Sequence, residues 1–243
     1  SWKASGEIEY LVFGAPVSQD YENSAYGMTL SQSLGKESIN KLSISASEDI
    51  IKQNNPNFLG LLDLTKTKRD NLELSLIRNK SSKVVRFYNF GLDAEEEDVD
   101  YSSYGTTYRE KIRTNSIFGS LGLNLYENPL NLTFIRSDHD TYKENLSWNI
   151  EGMWNLSNEW RMGLTNGSSF RSPLSSELYG FGGNTNLKPE INKSTEINFK
   201  RDTKAQEISI AFFDSQLTNL IAFDYEDYVL KNITESTNKG LDI

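Results

Sequence analysis

The sequence predicts an all-β protein, an antiparallel transmembrane β-barrel present only in part, and three observations carry this prediction. Apolar and polar residues alternate with a period of two along much of the 243-residue chain. The alternating runs are commonly about ten residues long, which fits a tilted strand that crosses a bilayer better than the shorter strand of a globular sheet. Short and long breaks between the runs follow one another in strict order.

The alternation gives each predicted strand one apolar and one polar face. Leu72, Leu74 and Leu76, for example, are separated by Glu73 and Ser75. The same pattern appears in five runs, at 42–47, 71–76, 121–125, 130–134 and 208–212. A helical period is nowhere as clear, so strands are predicted throughout.

The breaks between the runs are of two kinds. Tight turns rich in turn-forming residues lie near 35–37, 79–81, 127–129, 156–158 and 202–204. Longer polar connections lie near 14–24, 49–67, 93–109, 136–146 and 171–191, and all five prolines fall in the breaks. Outer-membrane barrels have short turns at one end and long loops at the other, so the pattern predicts about twelve strands of such a barrel.

Aromatic residues lie close to the predicted tight turns. Trp154 and Trp160 flank one turn, and Tyr126 precedes another. In a barrel these rings would lie at headgroup depth and form part of an aromatic girdle. The alternative is that they fill the core of a soluble protein.

Composition narrows the function classes. With 25 Lys and Arg against 34 Asp and Glu, the net charge is −9, and the chain lacks the basic surface that nucleic-acid binding requires. It has no cysteine and one histidine, which argues against thiol chemistry and against a His-centred catalytic or zinc site. No stretch has the roughly 18 to 20 apolar residues of a spanning helix. We therefore predict no enzymatic activity, no cofactor and no metal site.

Two polar clusters have an ordinary explanation that we favour. The acidic run 93–100 is rich in oxygen ligands but lacks the spacing of a calcium loop, so a solvated acidic loop is expected. In a strand, Asp138 and Asp140 would point to the face opposite His139, so a polar cluster at a strand end is expected there instead of a catalytic or metal site.

The last third of the chain carries a family resemblance. The stretches Phe170–Pro173, Glu177–Gly180 and Asn184–Glu190 resemble, in order and spacing, the signature segment of TonB-dependent outer-membrane receptors. Residues 212–213, 219–221, 224–225 and 239–242 resemble the hairpin that follows it. Within the family, 178–181 and 221–228 are most similar to the cobalamin (vitamin B12) receptor type.

The resemblance implies a barrel of about 22 strands in the outer membrane of a Gram-negative bacterium. It implies active uptake, driven through TonB, of a scarce nutrient that is cobalamin-like or iron-siderophore-like. Residues 1–243 would then be one partial barrel domain, without the plug domain, the TonB-binding segment and the C-terminal strands. The expected partners are outer-membrane lipid, the N-terminal plug domain, TonB and a small nutrient ligand, and not nucleic acid.

Two aromatic residues are the candidate ligand contacts. Tyr179 and Phe181 lie in a glycine-containing part of the predicted loop 171–191, where a ring on an external loop can stack on a ligand. Packing of these rings against neighbouring loops is the alternative. Pro189 restricts Lys188 to extended conformations and directs the loop into the next strand, which is a structural role.

The parity of the strands assigns their faces. Six polar residues are predicted to face the lumen: Glu73, Glu151, Glu196, Asn198, Lys200 and Glu207. Apolar residues of the opposite parity, such as Leu74 and Leu123, are predicted to meet lipid. Two other classes stay open, an outer-membrane barrel enzyme and a secreted β-rich adhesin or sandwich. A sandwich would bury the Leu and Ile face between two stacked sheets.

Overall fold

The computed structural model describes residues 1–12, 15–54, 62–79, 82–103, 106–180, 182–203 and 206–243. Within these ranges twelve strands form one sheet in the order β1 to β12, and each strand pairs antiparallel with its neighbours in sequence. The predicted all-β antiparallel architecture is confirmed. The elements are β1 Trp2–Val12, β2 Ala15–Ser33, β3 Ser38–Asn54, β4 Leu62–Asn79, β5 Val85–Ser103, β6 Thr106–Leu125, β7 Asn128–His139, β8 Lys143–Asn155, β9 Trp160–Arg171, α1 Ser175–Tyr179, β10 Glu190–Asp202, β11 Glu207–Asp224 and β12 Val229–Asp242.

Cross-strand register carries the sequence alternation across the sheet. Side chains of residues that are Cα partners lie on the same face, and one such row crosses β2 to β5 through Leu30, Leu42, Leu74 and Leu92. Ser43, Glu73 and Asp93 form the adjacent row, which faces the other way. We call the two sides of the sheet the apolar face and the polar face.

The apolar face is bare. Leu30 is 56% exposed, Leu74 52% and Phe212 50%. In the described part of the chain only four hydrophobic side chains are buried: Val17, Val99, Leu178 and Leu187. Because the described strands form a single sheet with no second sheet stacked on their leucines, the soluble sandwich is the wrong alternative. Within the same ranges, no helix combines the length and hydropathy needed to cross a bilayer.

Glycines on the polar face lie beneath aromatic rings. A Cβ added to Gly91 would overlap the Phe118 ring, and one added to Gly122 would overlap the Phe87 ring. Each pair consists of Cα partners on β5 and β6. The rings therefore lie across the neighbouring strand, which keeps this part of the polar face smooth.

Tight turns join the strands at one end of the sheet, which we call the turn end. Between β6 and β7, Tyr126 and Glu127 have φ values of 49° and 68°, which defines a two-residue type I′ turn. Between β8 and β9, the Ser157 hydroxyl accepts a hydrogen bond from the backbone N–H of Trp160 at 3.1 Å. The turns predicted near 35–37, 127–129 and 156–158 are confirmed, whereas residues 80, 81 and 204 of the other two lie outside the described ranges.

The tryptophans lie where their parity predicts. Trp154 is the Cα partner of Met162, and Trp160 is the Cα partner of Arg201, both on the apolar face near the turn end. Tyr126, in the neighbouring turn, is 97% exposed. Aromatic rings therefore border the apolar face at this end.

At the opposite end, the loop end, most of the predicted long connections are strands. β2 begins at Ala15, β3 continues to Asn54 and β5 continues to Ser103, all inside stretches predicted as loops. β7 reaches His139 and β8 begins at Lys143, so 136–146 is mostly strand as well. The prediction of long irregular loops at these places is wrong, because the hydrogen-bonded ladders continue past the edge of the apolar face.

The acidic run shows what allows polar residues to remain in a strand. On β5, Glu96 accepts hydrogen bonds from Lys111 at 2.6 Å and from Arg113 at 2.8 Å, both on β6. Glu97 accepts one from Arg69 on β4 at 2.5 Å. The solvated acidic loop predicted for 93–100 is therefore a strand, in which cross-strand ion pairs partly replace hydration.

Candidate ligand site at the loop end

One connection at the loop end has a structure of its own. Residues 172–189, which we call the strap, join β9 to β10 and contain α1. The Glu177 carboxylate accepts a hydrogen bond from the backbone N–H of Leu174 at 2.7 Å and so caps the first turn of α1. The long connection predicted for 171–191 is thus confirmed.

An arginine fixes the base of the strap. Arg171 donates to the Glu190 carboxylate at 2.6 Å and to both oxygens of Glu177 at 2.9 and 3.1 Å. The Arg171 guanidinium lowers the pKa of Glu190, and the two carboxylates raise the pKa of Arg171. Glu190 also accepts a hydrogen bond from the backbone N–H of Ile221 at 2.8 Å, which ties β10 to β11.

Side-chain amides fix the end of the strap to the β11–β12 hairpin. The Asn232 side chain accepts from the backbone N–H of Lys188 at 2.7 Å and donates to the carbonyl of the same residue at 2.9 Å. The Asn184 amide donates to the carbonyl of Leu230 at 2.9 Å. These contacts place the segment around Pro189 as the sequence predicts, with an added amide clamp.

Tyr179, a predicted ligand contact, lies at the end of α1 and stacks on another tyrosine. Its ring is 3.4 Å from the ring of Tyr108 on β6, centroid to centroid, with an angle of 14° between the planes. The Tyr108 hydroxyl is buried without a well-aligned hydrogen-bond partner. Burial, together with Tyr179 and Glu110 nearby, raises the pKa of Tyr108. Phe181, the other predicted contact, lies outside the described residues.

A third tyrosine stands beside this stack at the tip of the β7–β8 hairpin. Burial raises the pKa of Tyr142, as do the neighbouring Tyr179 and Glu177. The Tyr142 ring lies 5.1 Å from the ring of His139. Sequence reasoning did not identify Tyr108 or Tyr142, because both meet Tyr179 only through the tertiary fold and carry no local motif.

His139 caps the hairpin that carries Tyr142. Its Nδ1 atom accepts hydrogen bonds from the backbone N–H groups of Thr141 and Tyr142 at 3.1 and 3.3 Å. Burial lowers the pKa of His139. Asp138 lies on the apolar side, where its Cα partner is Glu144, while Asp140 accepts from the backbone N–H of Arg113. Within the described ranges no three His, Asp or Glu side chains form a group that could hold a metal ion.

The arginines of the polar face near the loop end are already paired. Arg69 lies 2.5 Å from a Glu97 oxygen and 3.5 Å from a Glu95 oxygen, and Arg171 is held between its two carboxylates. Within the described residues, this part of the polar face therefore offers tyrosine rings and carboxylates, with its guanidinium groups engaged.

Shallow depressions of the sheet lie on the other side. One of about 800 Å³ is lined by Tyr26, Met28, Ile44 and Leu72, and a second of about 580 Å³ by Leu74, Leu92 and Ile117, among others. These side chains belong to the apolar face, so the depressions are corrugations of a lipid-type surface. They are separate from Tyr108, Tyr142 and the strap with its Tyr179.

A meander of long antiparallel strands, with one bare apolar face and one polar face, defines the wall of a large membrane β-barrel. The strap across one end is typical of a barrel that presents external loops. The chain belongs to the family of TonB dependent receptor-like β-barrels, whose family model matches residues 9–243. The family resemblance predicted from the sequence is confirmed.

Curated relatives include vitamin B12 transporters. The chain is 26% identical over 162 residues to the vitamin B12 transporter BtuB of Photobacterium profundum, a match that covers 63% of this chain and 26% of that relative. It is 25% identical over 159 residues to BtuB of Vibrio vulnificus, with the same coverage. The chain thus spans about a quarter of the length of these relatives.

Solved structures of siderophore receptors share the fold. The siderophore receptor PirA from Pseudomonas aeruginosa matches with a TM-score of 0.67 and 12% identity, over 98% of this chain and 58% of that one. A mutant of the ferric enterobactin receptor PfeA from the same organism matches with a TM-score of 0.78 and 11% identity, over 98% and 48%. These matches show the fold. The matched proteins, including the BtuB relatives, are receptors and transporters and not enzymes.

Proposed function

We propose that this chain forms the wall of an outer-membrane receptor of a Gram-negative bacterium that takes up a scarce nutrient with energy supplied through TonB. The observation that carries this proposal is the bare apolar face of a twelve-stranded antiparallel sheet. Such a face is unfavourable in water and is suited to contact with lipid acyl chains. Membership of the receptor family supports the same assignment. The wall would catalyse no bond chemistry.

We further infer that residues 1–243 are one partial barrel domain. In the described structure β1 and β12 each pair on one side only, so the sheet has two open edges that further strands would close. The smooth polar face, with rings lying over glycines, fits close contact with a plug domain in the lumen.

For the ligand we favour a cobalamin-like molecule over a ferric siderophore, and the charge of the polar face is the reason. A ferric catecholate carries several negative charges and needs free guanidinium or ammonium groups to bind. Arg69 and Arg171 are instead engaged with carboxylates. A bulky ligand without net negative charge, held by aromatic rings, fits this surface better.

Tyr179 and Phe181 would contact that ligand. Tyr179 has one ring face against Tyr108 and is half-buried, which leaves its remaining surface for a second flat group. Phe181 follows two residues later in the strap and is included on the sequence pattern alone.

The test uses the complete receptor that contains these strands. Purified in detergent, it should show heat-modifiable gel mobility and should bind cyanocobalamin at least tenfold more tightly than ferric enterobactin. Extraction into buffer without detergent would contradict the barrel assignment. Preference for ferric enterobactin would leave the receptor assignment intact and overturn the choice of ligand.

A further inference from the structure

We propose that Tyr108 is a positioning residue that holds the strap across a notch in the barrel wall by stacking on Tyr179. This inference rests on the proposed receptor function for its role, but not for its geometry. The strap would stay attached to β9 to β12 and be held on β6 by the Tyr108–Tyr179 ring pair, which we call the latch. Separation of the two rings would open the loop end for ligand exchange.

The notch is the gap between residues 106–112 of β6 and β9, above the β7–β8 turn at 140–142. It arises because β6 extends farther toward the loop end than the neighbouring β7–β8 hairpin does. The pairing of β6 with β7 ends at Thr114 and His139, whereas β6 continues toward the loop end as far as Thr106. At about 3.3 Å per residue, β6 rises roughly 25 Å above that last pair. In the described structure residues 106–112 of β6 pair with β5 alone, whereas the carbonyl of Arg113 still accepts a hydrogen bond from the backbone N–H of Asp140. The other edge of 106–112 is therefore open above the short β7–β8 hairpin.

The strap reaches over this hairpin. It leaves β9, the strand that follows β8, and yet its Tyr179 ring stacks on Tyr108 in the tall part of β6. Tyr142, at the tip of the short hairpin, lies close enough to Tyr179 and Glu177 for both to affect its pKa. The strap therefore covers the notch from the side of the polar face.

The attachments of the strap are unequal. On the β9 to β12 side it is held by the ion pairs of Arg171 and by the amide pair between Asn232 and Lys188. On the β6 side its described contact is the tyrosine stack.

The geometry of the tyrosine stack is also unfavourable for a ring pair. A nearly parallel stack at 3.4 Å is a less favourable arrangement than an offset or edge-to-face pair. The latch is therefore the attachment that releases first, and release exposes the ring of Tyr179.

A distance measurement tests the latch directly. The chain has no cysteine, so Thr107→Cys and Ser176→Cys, both at exposed positions, can carry a spin-label pair across the notch in the complete receptor. Any cysteine elsewhere in that receptor is replaced first. We expect one narrow distance distribution for the parent and for Tyr108→Phe, which keeps the stack. We expect a broad, longer distribution for Tyr108→Leu.

Tyr126→Leu, an exposed tyrosine at the turn end, is the matched control and should leave the distribution unchanged. Heat-modifiable mobility confirms that each variant is folded. A narrow, unshifted distribution in folded Tyr108→Leu overturns the proposal, and so does a distribution in Tyr108→Phe as broad as that of the leucine variant.

Ligand kinetics separate positioning from simple structural support. With cyanocobalamin as the probe, Tyr108→Leu should raise the dissociation rate about three- to tenfold, the range expected for one lost ring pair, while the maximal uptake rate changes less than twofold. Equal losses in both, or no change in dissociation, would overturn the positioning role. If no variant binds cyanocobalamin while the spin-label distances behave as expected, the ligand assignment fails and the latch stands.

Discussion

The turn end and the loop end of the sheet are held together in different ways. At the turn end the described β6–β7 and β8–β9 turns are shaped by their own residues, as in the type I′ turn of Tyr126 and Glu127 and the hydrogen bond from Trp160 to Ser157. At the loop end the strands differ in height, and the strap is fixed by partners from other hairpins, such as Asn232 and Tyr108. The difference teaches that a barrel wall can fix one end by local backbone conformation while the other end depends on tertiary contacts.

This asymmetry matches the proposed function. An end that only connects strands does not need to change conformation, and short turns are suited to this role. An end that admits a ligand needs segments whose contacts can be exchanged, and external segments on a rigid scaffold provide them. The strap, with two strong attachments and one weak one, is such a segment.

The largest expected effect concerns the apolar face, which lies between the two ends. Leu74→Arg places a charge on the apolar face and should cost roughly 2 to 4 kcal/mol of folding free energy in a bilayer if the residue lies near the midplane. Ser43→Arg, one row away on the polar face, is the control and should cost much less. Denaturant titration of the complete receptor in lipid vesicles measures both, and equal costs would contradict the assignment of the faces.

A smaller effect separates the two ends of a single strand. Arg171→Met removes the ion pairs at the base of the strap and should destabilise the strap by about 1 to 2 kcal/mol, since the pairs are partly exposed. Arg161→Met, at the turn end of the same strand, breaks an exposed pair 3.4 Å long and should change little. Hydrogen exchange of 172–189 reports the difference, and equal protection in both variants would show that the strap does not depend on Arg171.

The same anchor should depend on pH. The pKa of Glu190 is lowered by Arg171 from its ordinary value of 4.5, so the folded protein favours the charged carboxylate. The stabilisation is present above pH 4.5 and is lost as the pH falls through the lower pKa of the folded state. Strap protection should therefore decline in acid in the parent, and Arg171→Met should remove most of that dependence.

The smallest effect concerns the turn end alone. Glu127 has a φ of 68°, a conformation that glycine adopts without strain. Glu127→Gly should therefore stabilise the protein by about 0.5 to 1 kcal/mol. Asn158→Gly, in a turn where the residue does not have positive φ, should be neutral or slightly destabilising. A stabilising Asn158→Gly together with a destabilising Glu127→Gly would contradict the local account of this end.

Much of the fold could be predicted from the sequence because its signal is local. The period of two around Leu72, Leu74 and Leu76 fixes both the strand and the face, and the turn near 156–158 follows from its own residues. The ends of the strands at the loop end could not be predicted in this way. Glu96 and Glu97 look like loop residues until their partners on β4 and β6 are known.

The candidate site was predictable only in part. The family motif identified the strap, and Tyr179 within it, because the motif is a continuous stretch of sequence. Tyr108 and Tyr142 belong to other hairpins and have no motif. Their part in the site arises from the unequal heights of β6 and β7.

The sequence by itself determined the alternation, the polar or apolar character of each face, the positions of the tight turns and the family. Each of these depends on residues close together in the chain. Only the tertiary structure decided how far the strands continue at the loop end and which rings meet across the notch. Those outcomes depend on pairs brought together by strand register, and a polar residue remains in a strand or leaves it according to the partner that register supplies.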